Sequence, residues 1–142
     1  MAGGGNLANI DFITIMTTGN AQDFGDLSAT VANGVGLSNS TRGVLKIRFQ
    51  SGATNAMEFI TIATTGNSTD FGDALNPGPN VASGASPTRG LFAGGSGVSS
   101  PYPKTNVIQK LEILTTGNAV DFGDMTFASN HPAGLSNAHG GL

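Results

Sequence analysis

Apolar and polar residues alternate in three short runs along the chain. The runs are Ile10-Asp11-Phe12-Ile13-Thr14-Ile15, Met57-Glu58-Phe59-Ile60-Thr61-Ile62 and Val107-Ile108-Gln109-Lys110-Leu111-Glu112-Ile113. Short runs rich in β-branched and aromatic residues predict strands rather than helices. Period two places Ile13 and Ile15 on one face, with Phe12 and Thr14 on the other. In the third run Lys110 and Glu112 stand where Phe12 and Thr14 stand in the first. That face is expected to meet solvent, and the Ile/Leu face to be buried.

Each run leads into the same ten-residue string, Thr-Thr-Gly-Asn-x-x-Asp-Phe-Gly-Asp, at residues 17–26, 64–73 and 115–124. Gly followed by Asn readily adopts positive φ, so Gly19-Asn20, Gly66-Asn67 and Gly117-Asn118 are predicted to be turns. A second strand is expected after each turn, with Phe24, Phe71 or Phe122 as its apolar residue. Run, turn and string therefore read as a hairpin.

Two glycine-rich segments separate one hairpin from the next. One is Gly36-Leu37-Ser38, repeated as Gly84-Ala85-Ser86 and Gly134-Leu135-Ser136. The other is Thr41-Arg42-Gly43-Val44-Leu45, repeated as Thr88-Arg89-Gly90-Leu91-Phe92-Ala93-Gly94-Gly95. Small residues mark places where backbones approach closely. The unit is then four short strands, recurring at spacings of 47 and 51 residues. Pro77, Pro79, Pro101, Pro103 and Pro132 fall mostly in the connections, as residues that cannot serve a central strand should.

The two ends of the sequence resemble the two parts of one such segment. Ala2-Gly3-Gly4-Gly5 is similar to Ala93-Gly94-Gly95, and Asn137-Ala138-His139-Gly140-Gly141-Leu142 to Ser86-Pro87-Thr88-Arg89-Gly90-Leu91. The expectation is a single repeat domain, 1–142, with repeats near 1–43, 44–90 and 91–142. One strand is split between the termini and must be completed by the chain's own other end or by a neighbouring chain.

Composition agrees with this picture. At 142 residues the chain has the size of one domain. Glycine supplies 22 residues, and charged residues only 11 % against a usual figure of about 25 %. Such a chain suits many short strands and tight turns. A net charge of −3 with six Lys and Arg argues against nucleic-acid binding, which needs basic residues to neutralise phosphates. No apolar stretch approaches the ~20 residues that span a bilayer, so membrane insertion is not expected. The start lacks the basic and apolar regions of a signal peptide. With no cysteine, disulfides and thiolate chemistry are excluded.

Candidate chemistry is sparse. Asn20, Asp23 and Asp26 form an oxygen-rich cluster repeated as Asn67, Asp70, Asp73 and as Asn118, Asp121, Asp124. Hard cations want several oxygen ligands, but the spacing lacks the ligand ladder and closing Glu of a Ca²⁺ loop. The expected role of Asp23, Asp26 and their counterparts is to satisfy turn and strand-end amides. Arg42 and Arg89 have the means to bind a carboxylate or sugar. Because they recur with the repeat, pairing with its own aspartates is the expected role.

The Asp-Phe-Gly string occurs also in protein kinases, but here it lacks their other motifs. His131 and His139 lack a further ligand at zinc spacing. No Ser-His-Asp or Cys-His set is evident, and the glycine clusters lack the Lys-Ser/Thr of a phosphate loop. Two Asn-x-Thr matches, at Asn39 and Asn67, are read as chance. No catalytic, cofactor-binding or metal-binding residue is assigned. The least regular segment, 96–105, holds the only tyrosine, Tyr102, between Pro101 and Pro103 and near Lys104. It is either a contact loop for glycan or protein, or plain surface.

A unit of about 50 residues with four strands, a double glycine after the second strand and an aromatic in the fourth resembles a kelch-type β-propeller blade. Gly94-Gly95 sits where kelch repeats carry their double glycine, Phe59 near their Tyr and Phe71 near their Trp. The wording of the repeat is closer still to kelch-like repeats of marine bacteriophage structural and tail-fibre proteins. The first repeat departs from the pattern at Arg48-Phe49-Gln50-Ser51-Gly52, the third has His139 in place of arginine, and Trp is absent.

The resemblance implies an all-β propeller whose ring is completed by oligomerisation, since propellers have four to eight blades. A dimer would give six. The alternative architecture is a β-trefoil. The function implied is a non-enzymatic virion structural protein in a tail fibre or a capsid–tail assembly. Its partners would be itself, other virion proteins and a host-surface glycan. The alternatives are a carbohydrate-binding lectin and, more remotely, a glycan-acting enzyme.

Overall fold

A computed structural model describes residues 2–4, 7–49, 54–97, 100–137 and 139. The described residues form ten strands and no helix: β1 (Ala2–Gly4), β2 (Leu7–Phe12), β3 (Gln22–Ser38), β4 (Arg42–Phe49), β5 (Ala56–Thr61), β6 (Thr69–Asp73), β7 (Ala82–Ala85), β8 (Arg89–Ala93), β9 (Thr105–Glu112) and β10 (Val120–Ser129). They make two antiparallel sheets, one of six strands in the order β1-β2-β3-β4-β5-β6 and one of four in the order β10-β9-β8-β7. Neighbours in each sheet are neighbours in sequence, as expected of strands joined by short connections.

The second alternating run forms β5 and the third forms β9, as the residue pattern implies. The first run departs from its expectation. β2 ends at Phe12, and Ile13 and Ile15 lie in the connection beyond it. Ile15 is 90 % exposed, whereas Ile113, at the same position of the third run, is fully buried. The third run packs Leu111 and Ile113 into a cluster with Val44, Met57 and Phe71 of the preceding repeat. No described repeat lies on that side of the first run, so its Ile face has nothing to pack against.

A second correction concerns β3. The strand carrying Phe24 and the segment Gly36-Leu37-Ser38 were expected to be separate, yet they form one strand of 17 residues. Its first part pairs with β2 (Ile10 opposite Gly25). Its second part pairs with β4 (Leu37 opposite Val44). Val31 takes part in both ladders and is fully buried. The equivalent stretch after β6 is interrupted by Asn76-Pro77-Gly78-Pro79-Asn80. Two prolines without amide hydrogens cannot sustain a ladder there.

The third correction concerns the turns. The chain reverses before the Gly-Asn pairs, where Thr17, Thr64 and Thr115 N–H groups donate to the carbonyls of Thr14, Thr61 and Glu112 at 3.3, 3.3 and 3.2 Å. Gly66 and Gly117 do hold positive φ, +153° and +156°, but past that reversal. Gly-Asn therefore belongs to an arm between the reversal and the second strand rather than to the turn itself.

The double glycine has a clear cause. Gly94 and Gly95 have φ +71° and +110°. β-Carbons there would lie 2.9 Å from the carbonyl oxygens of Ser129 and Pro79 respectively. The first repeat has Ile47 and Arg48 at these positions, both within β4, and the end of its departing segment, 50–52, lies outside the described residues. So do 138 and 140–142, and with them most of the strand expected to be shared between the termini. Of the C-terminal part, Gly134-Leu135-Ser136 lies beside β7, with the Ser136 hydroxyl donating to the Ala85 carbonyl at 2.6 Å.

Two apolar clusters hold the sheets. One gathers Leu37, Val44, Met57, Phe71, Val81, Phe92, Leu111 and Ile113 from both sheets. The other, within the six-stranded sheet, gathers Ile10, Phe24, Leu27, Val31 and Ile47.

Candidate functional site

The repeated string acts at the seams between repeats. An outer strand such as β6 is paired on one side only, by β5, and its other edge presents bare amide and carbonyl groups. The Gly-Asn arm of the following repeat covers that edge. Gly117 N–H donates to the Phe71 carbonyl at 2.7 Å, and Ala119 N–H to the Asp73 carbonyl at 2.8 Å. The Asn118 side-chain oxygen accepts the Asp73 N–H at 3.0 Å.

The same seam occurs one repeat earlier. Gly66 N–H donates to the Phe24 carbonyl at 2.7 Å, Ser68 N–H to the Asp26 carbonyl at 2.9 Å, and Asp26 N–H to the Asn67 side-chain oxygen at 3.0 Å. The glycine of Asp-Phe-Gly-Asp makes room for the arm. A β-carbon on Gly25 would stand 2.3 Å from the Gly66 carbonyl oxygen, and one on Gly72 2.5 Å from the Gly117 carbonyl group.

This places the string's predicted residues. Asn67 and Asn118, rather than the aspartates expected to do so, bond strand-edge amides, and those of the neighbouring repeat. Phe24 and Phe71 are buried and meet Phe12 and Phe59 edge-to-face, with ring centroids 6.2 and 6.1 Å apart. Asp23, Asp26, Asp70, Asp73, Asp121 and Asp124 all have exposed side chains. Gly19, Asn20 and Phe122 occupy the two outer ends of the series: Gly19 and Asn20 lie in an arm with no described strand beside it, and Phe122 in an edge with no described arm upon it.

The arginines depart from their expected pairing with aspartates. Arg42 lies over the Phe59 ring at 4.5 Å and donates to the Ile113 carbonyl at 3.2 Å, across a seam. Arg89 meets the Glu112 carboxylate at 3.3 Å, which Lys110 also reaches at 3.3 Å. Phe59 in one repeat is Lys110 in the next, so the second arginine has no ring to stack on and turns to the acid opposite it on β9.

Three buried polar groups went unnoticed in the residue pattern. Period two places Glu58 with Ile60 and Ile62, on the face expected to be buried, but as a polar residue it was given no role there. It is buried, and its carboxylate accepts from the Ser28 N–H at 3.2 Å and from the Ser28 and Ser68 hydroxyls. Gln109, its counterpart, is also buried and accepts the Leu75 N–H at 2.7 Å, leaving its Nε2 without a partner. Lys46 is buried too, with its ammonium donating to the Gly78 carbonyl at 2.5 Å. Burial lowers its pKa from 10.5 to about 8. Alternation places each of the three beside buried apolar neighbours of its own strand, but it does not show the partners that other segments bring to them.

Tyr102 is exposed at φ +54°, in a loop closed by the Ser96–Lys104 bridge and by Gly97 N–H donating to the Pro103 carbonyl at 2.7 Å. His131 and His139 use their backbone amides, to Asn80 and Asn137. Among the described residues no three His, Asp or Glu side chains gather as a metal site. A cleft of about 850 Å³ opens at the first seam and is lined mainly by apolar residues, Ile10, Phe12, Phe24, Leu37, Val44 and Ile60 among them. No protein-family model matches this chain, and no curated protein matches it.

Proposed function

We propose that the chain is a non-enzymatic structural module, built of kelch-like four-stranded blades and belonging to a β-propeller assembly of a phage virion. The observation that carries this reading is the seam made twice with the same atoms: Gly N–H to Phe carbonyl, Asn side chain to Asp amide, and an edge glycine that admits the arm. A contact repeated at each unit belongs to an architecture rather than to one active centre. The second half of β3 with β4, β5 and β6, and β7 to β10, are two successive four-stranded meanders of the sort a blade requires. The virion setting rests on the wording of the repeat, which resembles phage tail-fibre arrays. In that setting the exposed loop at Tyr102 and Lys104 is the part offered to a host-surface glycan or another virion protein.

Electron microscopy of the purified protein tests the architecture. Four-stranded blades around a central axis are expected, and a threefold barrel with a hairpin cap would instead give the trefoil. Peptide mass spectrometry of particles from the phage encoding the chain tests the setting. Its absence from washed particles would overturn the virion assignment.

A further inference from the structure

The chain carries two unmatched halves of its own seam. At one end stands an edge like those of β3 and β6. Phe122 in β10 corresponds to Phe24 and Phe71, yet it is 55 % exposed where Phe71 is 1 % exposed. Gly123 holds φ +145°, in the same region as Gly25 at +150° and Gly72 at +131°. A β-carbon there would meet nothing within 4 Å, whereas those on Gly25 and Gly72 would strike an arm. The cradle is therefore formed before anything fills it. At the other end stands an arm, residues 17–20, with no described strand beside it; its Gly19 has the same open side as Gly66 and Gly117 in the two seated arms.

A second pair of features matches in the same sense. Leu37 is 8 % exposed, clustered with Met57, Phe71 and Leu111 and packed against Gly90, where a β-carbon would lie 2.6 Å from its Cδ2. Its repeat counterpart Leu135 is 100 % exposed. The counterparts of Met57, Phe71, Gly90 and Leu111 are Ile10, Phe24, Gly43 and Ile60, and all four line the open apolar cleft at the first seam. One end thus presents the leucine, and the other presents the surroundings that bury its equivalent.

We propose that copies of this chain join head to tail, the arm at Gly19-Asn20 of one copy lying along Phe122–Asp124 of another, whose Leu135 enters the cleft formed by Ile10, Phe24, Gly43 and Ile60. Arm and cleft lie at the same end of the chain, and edge and leucine at the other, so one joint satisfies both pairs. The contact is heterologous, and it closes into a ring or runs on as a filament according to the angle at each joint. The partner is a second copy because each end supplies what the other end's counterparts already use within the chain. The inference rests on the repeat-module reading, but it fails separately. A folded monomer removes the joint and leaves the module, whereas a blade-free image removes the module.

The test is sedimentation velocity on the whole chain and on two variants at exposed positions, Ile15→Asp in the arm end and Leu135→Asp in the other. Wild type is expected to sediment as a dimer or larger. Each variant alone is expected to be a monomer with unchanged circular dichroism. Mixed in equal amounts, they should give a one-to-one dimer, since each retains the end that the other has lost. A monomeric wild type, a variant that associates as wild type does, or a mixture that stays monomeric would overturn the proposal. Phe122→Asp provides a second block at the Leu135 end and is expected to behave as Leu135→Asp does.

Discussion

The side-chain oxygen of Asn118 sits 3.0 Å from the backbone nitrogen of Asp73, 45 residues earlier in the chain, and takes the place of a strand's carbonyl. The Asn67–Asp26 bond repeats it at the same distance. One hydrogen bond of this kind contributes about 1 kcal/mol. Asn118→Ala is expected to lower the free energy of urea unfolding by about that amount, with no change in the denaturant slope. An unchanged midpoint would mean that the backbone bonds of Gly117 and Ala119 hold the arm without it.

Gly72 and Gly123 share one backbone shape but not one environment. Alanine at either pays for a positive φ, on the order of 1–3 kcal/mol. At Gly72 the new carbon also collides with the Gly117 carbonyl group at 2.5 Å, while at Gly123 it meets nothing within 4 Å. Gly72→Ala should therefore be the more destabilising of the two, and thermal melts of dilute samples, where the chains are apart, will rank them. Equal losses would count against the arm's close approach.

A similar contrast holds for the phenylalanines. Phe71→Ala empties a fully buried site in the larger cluster and is expected to cost about 3–5 kcal/mol. Phe122→Ala, at an exposed position, is expected to stay within about 0.5 kcal/mol in the same dilute melts. Comparable losses would show that Phe122 is packed.

Lys46 makes stability depend on alkaline pH. Its pKa is about 8 in the fold and 10.5 in the unfolded chain. Between those values the unfolded state holds the extra proton, so stability rises as pH increases from about 8 to 10.5. Below pH 8 both states are protonated and the cost of the buried ammonium is present in full. The shift corresponds to a gain of about 3 kcal/mol across the window, on the order-of-magnitude conversion of 1.36 kcal/mol per unit. Lys46→Met should flatten that part of a stability–pH curve measured by denaturant titration, and a wild-type curve already flat there would contradict the assignment.

The recurring string, the strand character of the runs and the double glycine were legible in the sequence, because each is a local preference of a few residues. The use of Asn67 was not, because a Gly-Asn pair read locally signals a turn. Its actual partner, Asp26, is 41 positions away. Glu58 and Lys46 were hidden for a related reason. Alternation assigns faces within one strand, whereas Ser28, Ser68 and Gly78 reach them from other segments. The open ends were half legible. Similar wording in Leu37 and Leu135 marks them as equivalents, but only packing shows that one is buried and the other bare.

The uninterrupted course of β3 bears on how the molecule would yield under load. Between β6 and β7 the chain passes through Pro77 and Pro79, held by single bonds from Lys46, Ser96 and His131 rather than by a ladder. Between the first repeat and the second the strand is continuous. A pull along β3 shears the β2 and β4 ladders together, with Val31 held in both. The six-stranded sheet should resist stretching as one unit, and the first rupture should fall at the proline connection.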